Sequence, residues 1–94
     1  MIRIINNRNT GKTSQLMLLA KEHNAIFVCS NPRAMEYKAK AYGINGLHFI
    51  SYGEFLNEPI MSREGNYVID ELECFMKDAF FYNGQLIAYT LSEE

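Results

Sequence analysis

Gly11, Lys12 and Thr13 stand together where a short apolar run gives way to helix-forming residues, and Asp70 and Glu71 stand together at the end of a second apolar run. The first group suits anion binding. Backbone N–H groups in a loop that opens a helix, aided by the positive end of the helix dipole, surround phosphate oxygens, and a lysine adds a full charge. Gly11 lets the backbone approach closely, so Asn9, Thr10, Gly11, Lys12, Thr13 and Ser14 form the candidate phosphate-binding segment. The second group, Asp70-Glu71, is delivered by a strand to its carboxyl end, the edge at which open α/β sheets bind ligands. Each group has a plainer reading. Gly-Lys-Thr can be incidental to a polar turn, and acidic residues at a helix start complement its dipole.

Bringing the two groups together requires strands that alternate with helices. Met1 to Ile5 reads as an opening strand, and Lys12 to about His23 as a largely buried helix, because Leu16-Met17-Leu18-Leu19-Ala20 is apolar around much of its circumference. Ala25 to Cys29 reads as a second strand. Asn31 then offers an N-cap with Pro32 at the first helical position, and the following helix turns Met35, Ala39 and Tyr42 inward and Arg33, Lys38 and Lys40 outward before stopping at Gly43. Leu47 to Ser51 is a third strand, Tyr52 to Asn57 a single helical turn and Ser62 to Asn66 a polar loop. Tyr67 to Ile69 forms the fourth strand, Leu72 to about Tyr82 a helix broken at Asn83-Gly84, and Leu86 to Thr90 the last strand. This rhythm predicts an α/β three-layer sandwich with a mostly parallel five-stranded sheet, one domain over residues 1–94.

Composition fits that expectation. Hydrophobic residues make up 48% and charged residues 21%, so the chain can bury a core and is not of the disordered class. A net charge of -2 excludes nucleic-acid or membrane binding by bulk charge and leaves only local patches. Cys29 and Cys74 have no CxxC spacing and no signal peptide is evident, which places the chain in a reducing cytoplasm; its apolar runs are too short for a membrane anchor.

The context of Gly11-Lys12-Thr13 resembles the Walker A motif of the P-loop NTPases, and Tyr67-Val68-Ile69-Asp70-Glu71 resembles their Walker B motif. Asn6 stands where that pattern begins with glycine, and asparagine tolerates left-handed backbone better than most residues. Within the superfamily the architecture looks most like a minimal, divergent RecA-like or helicase-type core. The resemblance implies Mg2+ and ATP, or another nucleoside triphosphate, as cofactors. By the same resemblance Lys12 would lie on the β- and γ-phosphates, Ser14 near the α-phosphate, Thr13 and Asp70 on the metal, and Glu71 on the attacking water. Leu86 to Thr90 would lie between the two motif strands, with Thr90 as a γ-phosphate sensor unless it is an ordinary strand threonine. A transition-state arginine would come from a homo-oligomer or protein partner, without which hydrolysis is slow.

Two readings from other classes stay open: a non-hydrolysing module acting as an interaction or inhibitory partner, and a nucleic-acid-binding accessory using Arg33, Lys38 and Lys40. Cys29-Ser30-Asn31-Pro32-Arg33 loosely resembles the Pro-Thr-Arg segment of helicase motors, against the alternative of a normal helix cap. His23, His48, Cys29 and Cys74 read as packing residues, and Phe80-Phe81-Tyr82 as core or an oligomer surface.

Overall fold

A computed structural model describes residues 11–57, 65–80, 84, 87, 88 and 90. The elements, in chain order, are α1 (Lys12–Glu22), β1 (Ile26–Cys29), α2 (Pro32–Tyr42), β2 (Phe49–Ser51), α3 (Tyr52–Asn57), β3 (Tyr67–Ile69) and α4 (Leu72–Ala79). The three strands form a parallel sheet in the order β2-β1-β3. Phe27 pairs with Phe49 on one side and Val68 on the other, so all three carboxyl ends reach the same edge.

Side chains alternate across a strand, and β1 is apolar on both faces because helices cover both. Phe27 and Cys29 join Met17 and Ala20 of α1 and Ala39 of α2 in one buried cluster. Val28 joins Ile50 and Tyr52 in a second cluster, on which Phe55 of α3 and Phe75 of α4 pack. The molecule is therefore layered, with α1 and α2 on one face and α3 and α4 on the other. Edge-to-face ring pairs, such as Phe27 with Phe49 at 5.2 Å and Phe55 with Tyr67 at 5.1 Å, complete the two cores.

Caps set the helix limits. Asn31 accepts a hydrogen bond from the Ala34 amide at 3.2 Å with Pro32 at the first helical position. At the other end Gly43 adopts φ 74°, and the Ile44 and Gly43 amides donate to the Ala39 and Lys40 carbonyls. That is a Schellman ending, whose apolar partner follows the glycine. Ile44 is accordingly buried, whereas Tyr42, expected inward, is exposed. Leu18 is likewise 56% exposed, so α1 buries one face, through Met17 and Ala20, rather than most of its circumference. His23 and His48 are exposed rather than packed, as is Cys74, while Cys29 is buried. Phe80 is exposed just beyond α4.

The expected strand Met1 to Ile5, the loop residues Asn6 to Thr10, Phe81, Tyr82 and most of the loop before Asn66 lie outside the described residues. Of the expected last strand, Ile87, Ala88 and Thr90 are described; none has strand geometry, and Ile87 is 90% exposed.

Candidate functional site

Topology marks one place on the sheet for a ligand. β1 and β3 are neighbours, yet α2 after β1 and α4 after β3 pack on opposite faces. Helices that diverge in this way open a crevice beyond the carboxyl ends of the two strands. Helix α1 packs against both β1 and β3, which brings its first turn to the same edge.

That first turn begins at Gly11, whose φ of 76° and ψ of 20° are left-handed values that glycine adopts without strain. Gly11 accepts hydrogen bonds from Gln15 N–H at 3.1 Å and from the Ser14 hydroxyl at 2.9 Å. The turn has neither a side-chain cap nor an acidic residue, so its dipole end is uncompensated by the chain's own carboxylates at that turn. Lys12 and Thr13 are half-buried, and Lys12 Nζ lies 3.6 Å from Glu71 Oε1. The structure thus joins Gly11, Lys12, Thr13 and Ser14 on one helix turn and brings that turn to Glu71. Asn9 and Thr10 lie outside the described residues.

The acidic pair sits where β3 ends. The Asp70 amide donates to the Val28 carbonyl at 2.9 Å, extending the ladder by one residue, and Asp70 is only 8% exposed. Among the described residues no donor is hydrogen-bonded to its carboxylate. Burial raises the Asp70 pKa above the ordinary carboxylate value, the Glu71 charge raises it further, and Lys38 and Lys12 oppose the shift. A buried carboxylate of this kind fits a hard cation that is completed by substrate oxygens and water, as Mg2+ is. No cluster of three or more His, Cys, Asp or Glu residues that could hold a metal ion is found among the described residues.

Glu71 adopts φ 56° and ψ 69°, a left-handed conformation that costs a non-glycine residue about 1–2 kcal/mol. Its carbonyl accepts from the Phe75 amide at 3.1 Å and so opens α4. Tyr52, buried under the tip, donates its hydroxyl to the Asp70 carbonyl at 2.6 Å, with the Glu71 carbonyl at 3.2 Å. Burial is the main cause that keeps this phenol protonated far above its ordinary range. The Cys29 thiol, pushed up to about 11 chiefly by burial, donates to the Ile50 carbonyl at 3.7 Å and is thereby a packing group.

Sequence reasoning missed two members of this neighbourhood. Lys38, read as a solvated helix residue, acts electrostatically on Asp70, and nothing in its spacing announced this. Tyr52 had a signal: Ser51 and Glu54 form a capping box, with the Ser51 amide on Glu54 Oε1 and the Glu54 amide on Ser51 Oγ, both at 3.0 Å. Such a box fixes where the first residue of α3 points. Asn31 behaves as a cap, leaving Arg33 exposed beside it.

A shallow recess of about 310 Å³ lies at the opposite, amino edge of the strands, lined by Ile26, His48 and Asn66 among others. Its polar groups are largely occupied by the fold, with Asn66 bonded to the His23 carbonyl and to the Ile26 amide. The carboxyl edge is the better candidate because Lys12, Glu71 and the buried Asp70, whose carboxylate has no hydrogen-bonded donor among the described residues, converge there.

The raised Asp70 pKa predicts a stability effect. Because the folded chain holds this proton more tightly than the unfolded chain, stability is greatest with Asp70 protonated. It falls as pH rises past the ordinary carboxylate value of 3.8 toward the folded value. Asp70→Asn should therefore melt higher than wild type at neutral pH without metal, by a margin that shrinks toward pH 4. Thermal unfolding across that range checks it; a constant margin contradicts it.

No helix among the described residues is long and apolar enough to cross a membrane. No family model, curated protein or solved structure matches the chain.

Proposed function

We propose that the chain binds a nucleoside triphosphate such as ATP, with Mg2+, at the crevice between β1 and β3, as a minimal P-loop NTPase-like domain. The observation that carries this reading is the approach of Lys12 to Glu71 across 3.6 Å, since it brings together two motifs distant in sequence. Loop amides and the Lys12 ammonium hold the phosphates. Thr13 and Asp70 are the residues that would hold the metal, which when bound neutralises phosphate charge and polarises the phosphoryl group. Glu71 orients a water and takes its proton, and turnover stays slow unless an oligomer or protein partner supplies an arginine.

The free thiols Cys29 and Cys74 favour a reducing cytoplasm. Equilibrium titration with ATP, with and without Mg2+, tests the proposal.

A second reading, a nucleic-acid accessory, is favoured by one observation. Arg33, Tyr37 and Lys40 fall at i, i+4 and i+7 on the exposed side of α2, and Tyr37 is 79% exposed. A base could stack on the ring while the flanking cations meet phosphates. Binding of a single strand should then weaken steeply with salt and lose roughly 1–3 kcal/mol in Tyr37→Ala. Salt-independent binding, or none, removes this reading.

A further inference from the structure

We infer that Tyr52 is a positioning residue for the acidic tip, its hydroxyl holding the Asp70–Glu71 main chain in the left-handed turn that directs Glu71 toward Lys12. Three independent features meet in this clamp. Glu71 is one of two described non-glycine residues with positive φ, the other being Asn24, so its conformation needs outside support. The Tyr52 hydroxyl supplies that support at 2.6 Å and 3.2 Å to successive carbonyls. Tyr52 is itself fixed, being 5% exposed, seated edge-to-face on Phe75 at 5.4 Å and launched from the Ser51–Glu54 capping box.

The clamp ties the end of β2, at the sheet's far side, to the acidic end of β3, with β1 between them. Its ring pins the first turn of α4 through Phe75 and its oxygen pins the residues just before that turn. Loss of the oxygen removes the Asp70 carbonyl's donor, leaves the Glu71 carbonyl with the Phe75 amide, and frees a strained residue to relax. The role in ligand placement rests on the nucleotide reading above; the clamp itself does not.

Tyr52→Phe keeps the ring and removes only the oxygen. At a temperature where wild type and variant are both fully folded, exchange of the Phe75 amide, which is hydrogen-bonded to the Glu71 carbonyl, should quicken about five- to tenfold, while amides of β1 keep their wild-type protection. The Mg2+-dependent gain in ATP affinity, which needs Asp70 in place, should fall by a similar factor, with Mg2+-free affinity within about twofold of wild type. Glu54→Ala, which loosens the corner from outside the core, should shift exchange in the same direction and carries the comparison if Tyr52→Phe does not fold. Exchange that quickens equally in β1, exchange unchanged at Phe75, or loss of Mg2+-free and Mg2+-dependent affinity together would overturn the inference. If wild type binds no ATP with or without Mg2+, the nucleotide reading fails and local exchange alone decides the clamp.

Discussion

Lys12→Ala is expected to weaken ATP binding about 100-fold while leaving the fold almost as stable as wild type. The two halves of that result have separate causes. Among the described residues Lys12 is ion-paired with Glu71, across 3.6 Å and with both side chains part-exposed, a type of pair worth about 0–1 kcal/mol. Against a phosphate bound as proposed, the same ammonium would make charge-assisted hydrogen bonds at a helix start, each worth roughly 1.5–3 kcal/mol. Calorimetric titration beside thermal unfolding separates the two. Equal affinities for variant and wild type would remove Lys12 from the site.

Glu71→Gln should keep ATP affinity at or slightly above wild type and lower turnover about 10²- to 10⁴-fold, the range that general-base catalysis supplies. The amide retains the shape and the left-handed turn but cannot take a proton from water. It also removes the neighbouring charge that adds to burial in raising the Asp70 pKa, so Asp70 ionises more readily. Single-turnover hydrolysis, measured in whatever assembly gives wild-type activity, checks this. A variant that turns over normally would assign Glu71 to helix capping alone.

Local chemistry was the part of the structure most legible in the sequence. Asn31, Pro32 and Gly43 bracket α2 as read, because a cap is decided by a few adjacent residues. Tyr67 to Ile69 is a strand ending in Asp70, again as read, since a β-branched and aromatic run followed by carboxylates has few other uses. What escaped was set by packing between distant segments. Tyr42 and Ile44 are both apolar, and only the Schellman ending decides that Ile44 goes inward. Lys38 influences Asp70 through the way α2 lies over the sheet, and Tyr52 reaches the acidic tip because β2 lies two strands from β3 in a parallel register. Periodicity along the chain encodes neither relation. It did anticipate helices on both faces of a parallel sheet, which is what opens the crevice.

The same geometry explains why the acidic tip is unlike an ordinary strand end. Asp70 is buried without a hydrogen-bonded donor among the described residues, and Glu71 is held in a disfavoured backbone region. Each feature lowers stability, and on the proposed reading each would be offset by a bound cation and phosphate. Backbone strain and a buried carboxylate gathered at one edge are what motivate the proposed site.

Titration of the folded wild-type chain with ATP in the presence of Mg2+ tests the central claim most directly. Saturable binding at one site per chain, lost on replacing Lys12 and weakened when Mg2+ is withdrawn, is the predicted result. A chain that is folded by circular dichroism yet gives no binding to any nucleoside triphosphate would contradict it.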